Sequence, residues 1–432
     1  MVETLATDVA VVGAGPAGLA AACRAAEAGA RVVVLEEASS PGGTIWRRRG
    51  KQPRLAGRWL ERLAGSGATV RTGALVFDAP RPGVLCVEVD GAPLLVTAAT
   101  TILATGARER FLPFPGWTLP QVVGVGGAQA LAKSGASFRG RRVVIAGTGP
   151  LLLPTGALLA QSGARIQAVV EQSPGRRVGR FASSLWRQPG KLVSAAIYRA
   201  SFLRTRYRCG TWVQAALGDD RLREVRLTDG RRSWSEPCDV LACGYGLIPN
   251  IELARRLGCT TMGDKVLVND LQETAQPGVF CAGEPTGVGG SDLALVEGEI
   301  AGCAATGRRD DAEALFGRRV LLRRFADRLE ETFVLRDELR QLAEPSTLIC
   351  RCEDVRLGEI ESEWQARQAK LWTRAGMGAC QGRVCGPALQ YLFGWDGDSV
   401  RPPLKPVRVG TLAALLTAAA EASRSHLPRR EP

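Results

Sequence analysis

The chain has 432 residues, 45% of them hydrophobic and 6% aromatic, and a formal net charge of +13. That length has room for two or three domains, and no apolar run approaches the ~20 residues of a membrane-spanning helix. The charge does not suggest a nucleic-acid partner: arginine outnumbers lysine fifty to six, the basic residues are scattered with short clusters at Arg47–Lys51 and Arg318–Arg324, and no basic face is interleaved with aromatics.

Glu3 and Asp8 precede the first apolar run, which is unlike a secretory leader. Residues 8–12 (DVAVV) predict a strand. Gly13-Ala-Gly15-Pro-Ala-Gly18 follows, then an alanine-rich helix to about Ala28 and a strand, RVVVL, ending at Glu36. This is a βαβ unit with a dinucleotide loop. Gly13 permits the tight turn, Gly15 lets backbone approach a pyrophosphate, and Gly18 lets the helix pack on the strand. The helix N-terminus offers amides and a positive dipole end to phosphate. Glu36 is placed for a ribose hydroxyl pair.

TTILATGA (100–107) is a strand ending in glycine. A second strand–glycine–helix–strand unit starts at Arg142, with Gly147 and Gly149 in its loop, a helix to about Ser162 and a strand ending at Glu171. Its third glycine position is Leu152, which should crowd helix against strand and ligand. Glu171 is acidic where a ribose contact is wanted and unfriendly to a 2′-phosphate. NAD(H), another adenine nucleotide, and an empty loop all remain open for this second site.

CDVLACGYG (238–246) is a further strand. Cys238 and Cys243 on it are expected to point to opposite faces and to be core residues. GVFCAGE (278–284) is a short strand ending at Gly283 and Glu284, a carboxylate able to accept from a ribityl hydroxyl. The following GGSDLALVEG starts a helix whose N-terminus could face a flavin pyrimidine edge. This downstream pattern points the first loop to FAD rather than NAD. Residues 312–343 are helical in period and end before Pro345. Residues 346–395 carry four cysteines, and the proline-rich tail from Arg401 is extended, then helical from Thr411.

Twelve cysteines are not expected to form a disulfide framework in a cytosolic chain. Cys23, Cys86, Cys209, Cys259, Cys281 and Cys303 stand singly in apolar surroundings, as small hydrophobes do. There is no Cys-x-x-Cys, and the one histidine is His426, so neither a dithiol nor a histidine base is at hand. Cys350-x-Cys352 and Cys380-x4-Cys385 differ from the usual zinc knuckles. The second pair lies in GMGACQGRVCGP, a glycine-rich loop able to wrap closely and offer amides to sulfide. Four grouped thiolates suit a [2Fe–2S] cluster, with zinc and free thiols as the alternatives.

The segments Gly13 to Gly18, Pro41-Gly42-Gly43, Ala104-Thr105-Gly106 and Gly278 to Glu284 resemble the two-dinucleotide-domain flavoprotein disulfide reductase fold family over residues 1 to about 310. The resemblance implies FAD held by Gly13, Gly15, Gly18, Glu36, Gly43, Thr105, Gly106, Gly283 and Glu284. It places Glu284 where an aspartate is usual. ICRCEDV and TRAGMGACQGRVCGP resemble the bacterioferritin-associated-ferredoxin-like [2Fe–2S] module, with Cys350, Cys352, Cys380 and Cys385 as ligands. The two together resemble the FAD-binding α subunits of heteromeric opine, proline and hydroxyproline dehydrogenases and the related hydrogen cyanide synthase subunit.

The fold expected is therefore α/β. A discontinuous FAD domain (1–110 and 263–310) surrounds an inserted NAD(P)-binding-like domain (111–262). A helical linker (311–345), the iron–sulfur module (346–400) and the tail (401–432) follow. The family implies a β subunit that oxidises an amino acid or opine on its own flavin, with room for a further small subunit, while this chain relays electrons to an acceptor. The location expected is cytoplasmic, peripheral to a membrane only through the complex. The tail from Arg401 to Arg408 is a candidate docking surface for the partner. Two rival readings are a stand-alone NAD(P)H-dependent reductase and a non-enzymatic metal-binding or assembly module.

Overall fold

A computed structural model describes residues 2–46, 53–395 and 400–415. The Arg47–Lys51 cluster, His426 and most of the C-terminal helix expected from Thr411 lie outside the described residues.

Two sheets organise the chain, the first mixed, with Ala74–Arg81 and Val84–Val89 antiparallel to their neighbours, and the second parallel. The first runs Thr69–Thr72, Val32–Glu36, Glu3–Val12, Ala92–Leu103, Val84–Val89 and Ala74–Arg81 in spatial order, and Val279–Cys281 joins beside Ala92–Leu103. Val9, Val11, Val33, Val34 and Ile102 are almost fully buried, so these strands read as near-continuous apolar runs, as parallel strands covered on both faces do. Helix Pro16–Glu27 covers one face and is crossed by helix Ser291–Ala305. They meet on backbone: a Cβ at Gly298 would lie 2.1 Å from the carbonyl oxygen of Ala17, and one at Gly302 2.4 Å from that of Ala21. Only glycine lets the helices approach this closely, and the crossing brings residues 283–291 beside the first loop.

The second sheet runs Arg206–Cys209, Arg165–Glu171, Arg142–Gly147, Val240–Gly244 and Val122–Gly124, all parallel. A three-stranded antiparallel sheet (Trp212–Leu217, Glu224–Thr228, Ser233–Pro237) packs against it. The chain crosses between the two halves on a two-stranded antiparallel ribbon, Ala107–Glu109 with Leu247–Pro249. Ile251, Leu253, Ala254, Leu257 and Cys259 already pack with Val12, Leu35 and Val279 in the first half's core. By packing, the return crossing lies at the ribbon, ahead of the boundary expected at 262.

Cys238 and Cys243 do not point to opposite faces. Cys238 precedes the strand Val240–Gly244, so the alternation of strand side chains does not extend to it, and both pack in one core cluster. They are core residues all the same, 0% and 1% exposed. All twelve cysteines are free thiols. The basic cluster at Arg318–Arg324 is largely ion-paired: Arg319 pairs with Asp270, Arg323 with Glu297, and Arg318 lies 3.9 Å from Glu299.

Helix Phe316–Thr332 leads through Phe333–Arg336 into the C-terminal module, a short ribbon (Leu348–Cys350 with Val355–Arg356) and helices Ala366–Thr373 and Cys385–Phe393. Its small core includes Ile349, Ile360, Leu389 and Trp395. Trp117 Nε1 donates to the Leu348 carbonyl at 2.6 Å, and the Tyr391 hydroxyl to the Arg336 carbonyl at 2.6 Å. The tail is bound in cis: Leu404 is buried in the first half's core, its N–H donates to Phe77 at 2.7 Å, and Arg408 N–H and the Thr411 hydroxyl donate to Glu88. These contacts pin the segment to the fold, and Arg401, Pro402, Pro406 and Arg408 in it remain exposed.

Candidate functional site

The first loop contains glycines of two kinds. A Cβ at Gly13 (φ +100°) would lie 2.4 Å from the Ala104 carbonyl oxygen, and one at Gly18 1.8 Å from that of Gly13, so the fold itself requires both. Gly15 sits at φ −74°, which any residue adopts, and the nearest atom to its Cβ would be Gly43 Cα at 4.0 Å. Nothing in the protein requires glycine there. The space a side chain would take lies over the N-terminus of helix Pro16–Glu27, which fits a pyrophosphate cradle. Gly43 (φ +58°) faces it, its own Cβ position 2.9 Å from Gly15 Cα.

Glu36 ends the second strand, 8% exposed. Its carboxylate accepts from the N–H groups of Ala14 and Ala38, each at 2.8 Å. Across the sheet, Thr105 donates its hydroxyl to the Asn250 carbonyl at 2.6 Å, and Gly106 takes φ +69°. Gly283 (φ +80°) turns beside Ala17, and its N–H donates to Glu297 at 3.0 Å. Glu284 accepts from Gly290 N–H through Oε1 at 3.0 Å, while its buried Oε2 has no partner. Burial raises the Glu284 carboxyl to about 7, against the opposing pull of the Gly290 amide. An unpaired buried acceptor costs about 1–3 kcal/mol, and a ligand hydroxyl would relieve it. The donor set and the open cradle at Gly15 both fit FAD.

Glu297 was not singled out in the sequence. It is 0% exposed, burial raises its carboxyl, and it holds the turn by accepting from Gly283 N–H and the Thr286 hydroxyl, with Arg323 as its counter-ion. Acidic residues at Glu297 and Glu299 inside an otherwise apolar helix were the available signal.

The second loop is built differently. Its helix begins at Leu152, past Gly149, Pro150 and Leu151, whereas the first begins at Pro16, directly after Gly15. Leu152 is accommodated by that delay, its side chain wholly buried with Ile145, Leu159 and Val169. Glu171 is 0% exposed and accepts from Gly149 N–H at 2.7 Å, Ser173 N–H at 2.8 Å and the Thr148 hydroxyl at 2.9 Å. Burial raises its carboxyl, and these donors oppose the rise. The linker lies against the same corner: Gln172 Nε2 donates to the Val334 carbonyl at 3.0 Å, and Arg336 N–H to Gln172 Oε1 at 3.2 Å.

The four cysteines of the C-terminal module come together as two pairs, each with one thiol from either segment. Cys352 lies beside Cys380, and Cys350 beside Cys385. Gly378 makes the approach possible: its Cβ would lie 2.3 Å from Cys352 Cβ. Burial raises Cys380, but the amides of Val384, Gly382 and Arg383 and the Cys352 thiol outweigh it and bring the group below the ordinary thiol value. Cys385 opens helix Cys385–Phe393, whose positive end favours an anionic group. Among the described residues, no three His, Cys, Asp or Glu side chains lie close enough to hold one metal ion. Two thiol pairs ringed by amides fit a binuclear iron–sulfur cluster, which takes two protein ligands on each iron. Cys23 and Cys86 are instead pushed up to about 11 by burial, and Cys238 to about 12, as inert core thiols are.

Residues 7–297 match the family described as pyridine nucleotide-disulphide oxidoreductase, and residues 348–395 match the BFD-like [2Fe-2S] binding domain. An opine oxidase subunit from Rhizobium meliloti (strain 1021) is 32% identical, covering 95% of this chain and 99% of its own length. Hydrogen cyanide synthase subunit HcnB of Pseudomonas aeruginosa is 33% identical, covering 87% of this chain and 90% of its own. Among solved structures, L-proline dehydrogenase from P. horikoshii superposes with a TM-score of 0.67 at 20% identity, over 95% of this chain and 80% of that one. That likeness shows the fold.

Proposed function

The chain belongs to the pyridine nucleotide-disulphide oxidoreductase family, with a BFD-like [2Fe-2S] domain behind the flavoprotein core, and from that premise we propose that it is the electron-relaying subunit of a heteromeric dehydrogenase. The enzyme would oxidise a C–N bond of an amino acid or opine on a partner subunit. The carrying observation is the full-length match to proteins named as single subunits of an opine oxidase and a cyanide synthase. One flavin-type loop and one four-thiol loop in the same chain support it. FAD handles electrons in pairs or singly and a [2Fe–2S] cluster takes them singly, so this chain would convert a two-electron oxidation into one-electron steps. Gly13, Gly15, Gly18, Glu36, Gly43, Thr105, Gly106, Gly283 and Glu284 would hold the FAD. Cys350, Cys352, Cys380 and Cys385 would hold the cluster.

A stand-alone NAD(P)H reductase is disfavoured by the second loop, where Gly149 N–H is already taken by Glu171 and the linker lies beside it. Gly147, Gly149 and Glu171 are read as structural toward nicotinamide nucleotides. Among the described residues, no helix is long and apolar enough to cross a membrane. Twelve free cysteines suit a reducing compartment, and we place the complex in the cytoplasm, at a membrane face only through its partners.

The test is purification of this chain alone and with its genomic partner. The chain alone should hold FAD, with about two irons and two sulfides, and show no reduction by proline, hydroxyproline, opines or glycine. Adding the partner should let one of these reduce both centres. Turnover by the single chain would overturn the subunit reading, and zinc in place of iron would overturn the cluster.

A further inference from the structure

Thr105, at the end of a first-sheet strand, and the thiol loop are joined through two side chains, Asn250 and Arg108. Arg108 lies on Ala107–Glu109, half of the ribbon that links the two sheets. Its Nη1 donates to Asn250 Oδ1 at 2.7 Å and pairs with Glu252 at 2.9 Å. Its Nε donates to the carbonyl of Arg383 at 3.3 Å, in the loop between Cys380 and Cys385. Asn250 continues the path on the other side: its Nδ2 donates to the Thr105 carbonyl at 2.9 Å, and its own carbonyl accepts from the Thr105 hydroxyl at 2.6 Å. A hydrogen-bonded chain therefore runs from Thr105 through Asn250 and Arg108 to the thiol loop.

The far side of that loop is tied down as well. The Arg383 guanidinium donates to the Leu404 carbonyl and, at 3.4 Å, to that of Cys380. Leu404 is anchored to Phe77 in the first sheet. The side chains of Arg108 and Glu252 are only 23% and 25% exposed, so their bonds are little screened by solvent. Planar guanidinium donors aimed at separate acceptors define a geometry that a point charge does not.

We propose that Arg108 is a positioning residue that fixes the thiol loop against Thr105 of the flavin site and so sets the gap electrons cross. This rests on the reading that FAD and a [2Fe–2S] cluster occupy those two sites. Tunnelling slows exponentially as such a gap widens. Each crossing moves one electron from flavin to cluster. With both groups bound, two crossings would empty a fully reduced flavin, its proton going to solvent and the cluster passing each electron to a one-electron acceptor.

The test compares wild type, Arg108→Ala and Arg108→Lys in the full chain carrying both centres. Arg108→Ala should keep wild-type flavin and iron content. Amide exchange across Gly382–Cys385 should rise roughly tenfold and cluster reduction after rapid flavin reduction should slow roughly tenfold, as expected from losing a charge-assisted hydrogen bond that orders the loop. Arg108→Lys keeps the charge beside Glu252 without the planar donors and should fall between wild type and Arg108→Ala. Wild-type exchange in Arg108→Ala, or faster exchange with unchanged transfer, would overturn the role. If Arg108→Ala does not fold, Arg108→Lys is judged by the same two measurements. Absence of flavin or iron from the wild type would count against the underlying reading instead.

Discussion

Gly15 and Glu284 carry the sharpest residue-scale expectations. The Cβ of Gly15→Val would meet nothing nearer than Gly43 Cα at 4.0 Å, so the fold should survive while the pyrophosphate is blocked. Flavin affinity should drop by roughly a hundredfold or more, about 2.7 kcal/mol, with the melting temperature of flavin-free protein unchanged. Gly18→Ala is the contrast, since its Cβ would sit on the Gly13 carbonyl oxygen and should cost about 1–3 kcal/mol of stability. Flavin titration and thermal melts separate the two. Glu284 has a folded value of about 7 against an ordinary 4.5. Below the ordinary value, folded and unfolded chains both hold the proton and burial carries no penalty. Between about 4.5 and 7 the unfolded chain releases it first, so flavin-free protein should lose stability as pH rises through that window. Glu284→Gln should flatten that slope in melts run against pH. It should also weaken FAD by roughly ten- to a hundredfold, the size of a charge-assisted hydrogen bond. Unchanged affinity would remove Glu284 from the site.

At the scale of elements, the two glycine loops have one topology and different chemistry. The helix after Gly15 begins at once and aims its first amides into open space, whereas the helix after Gly149 begins at Leu152. The second loop's Gly149 amide is bound by Glu171 from its own sheet. NADH mixed with oxidised protein should therefore bleach the flavin slowly or not at all. Rapid stoichiometric bleaching in stopped flow would show that the second loop binds nicotinamide nucleotide. The delayed helix also shows how a leucine fits where a third glycine stands in the first loop: the backbone moved and the side chain joined the core.

For the whole molecule, the flavoprotein half and the thiol module have distinct cores and meet through the linker, the Tyr391 ring packed on the second sheet's core, and a few polar contacts. Cys380→Ser should accordingly lose iron and sulfide while retaining a full complement of FAD, read by metal analysis and visible absorbance. Loss of both would mean that the cluster is needed to hold the flavin half together. Some of the basic residues are taken up inside the fold, where Arg24 and Arg323 pair with the buried carboxylates of Glu299 and Glu297.

The first βαβ unit, the second glycine loop and the cysteine quartet were all legible along the chain, because each is a local pattern whose spacing follows from backbone geometry. The family resemblance rested on the same short segments. Other features depended on residues far apart in sequence. The partnering of Cys350 with Cys385 and Cys352 with Cys380, the buried support of Glu297 beneath Gly283 and the return of the tail onto Phe77 and Glu88 are of this kind. The Arg108 path, from a ribbon strand to a loop 275 positions away, is the extreme case. Spacing constrains what neighbours along the chain can do, but a contact across hundreds of residues exists only once both cores have packed and set the distance between them.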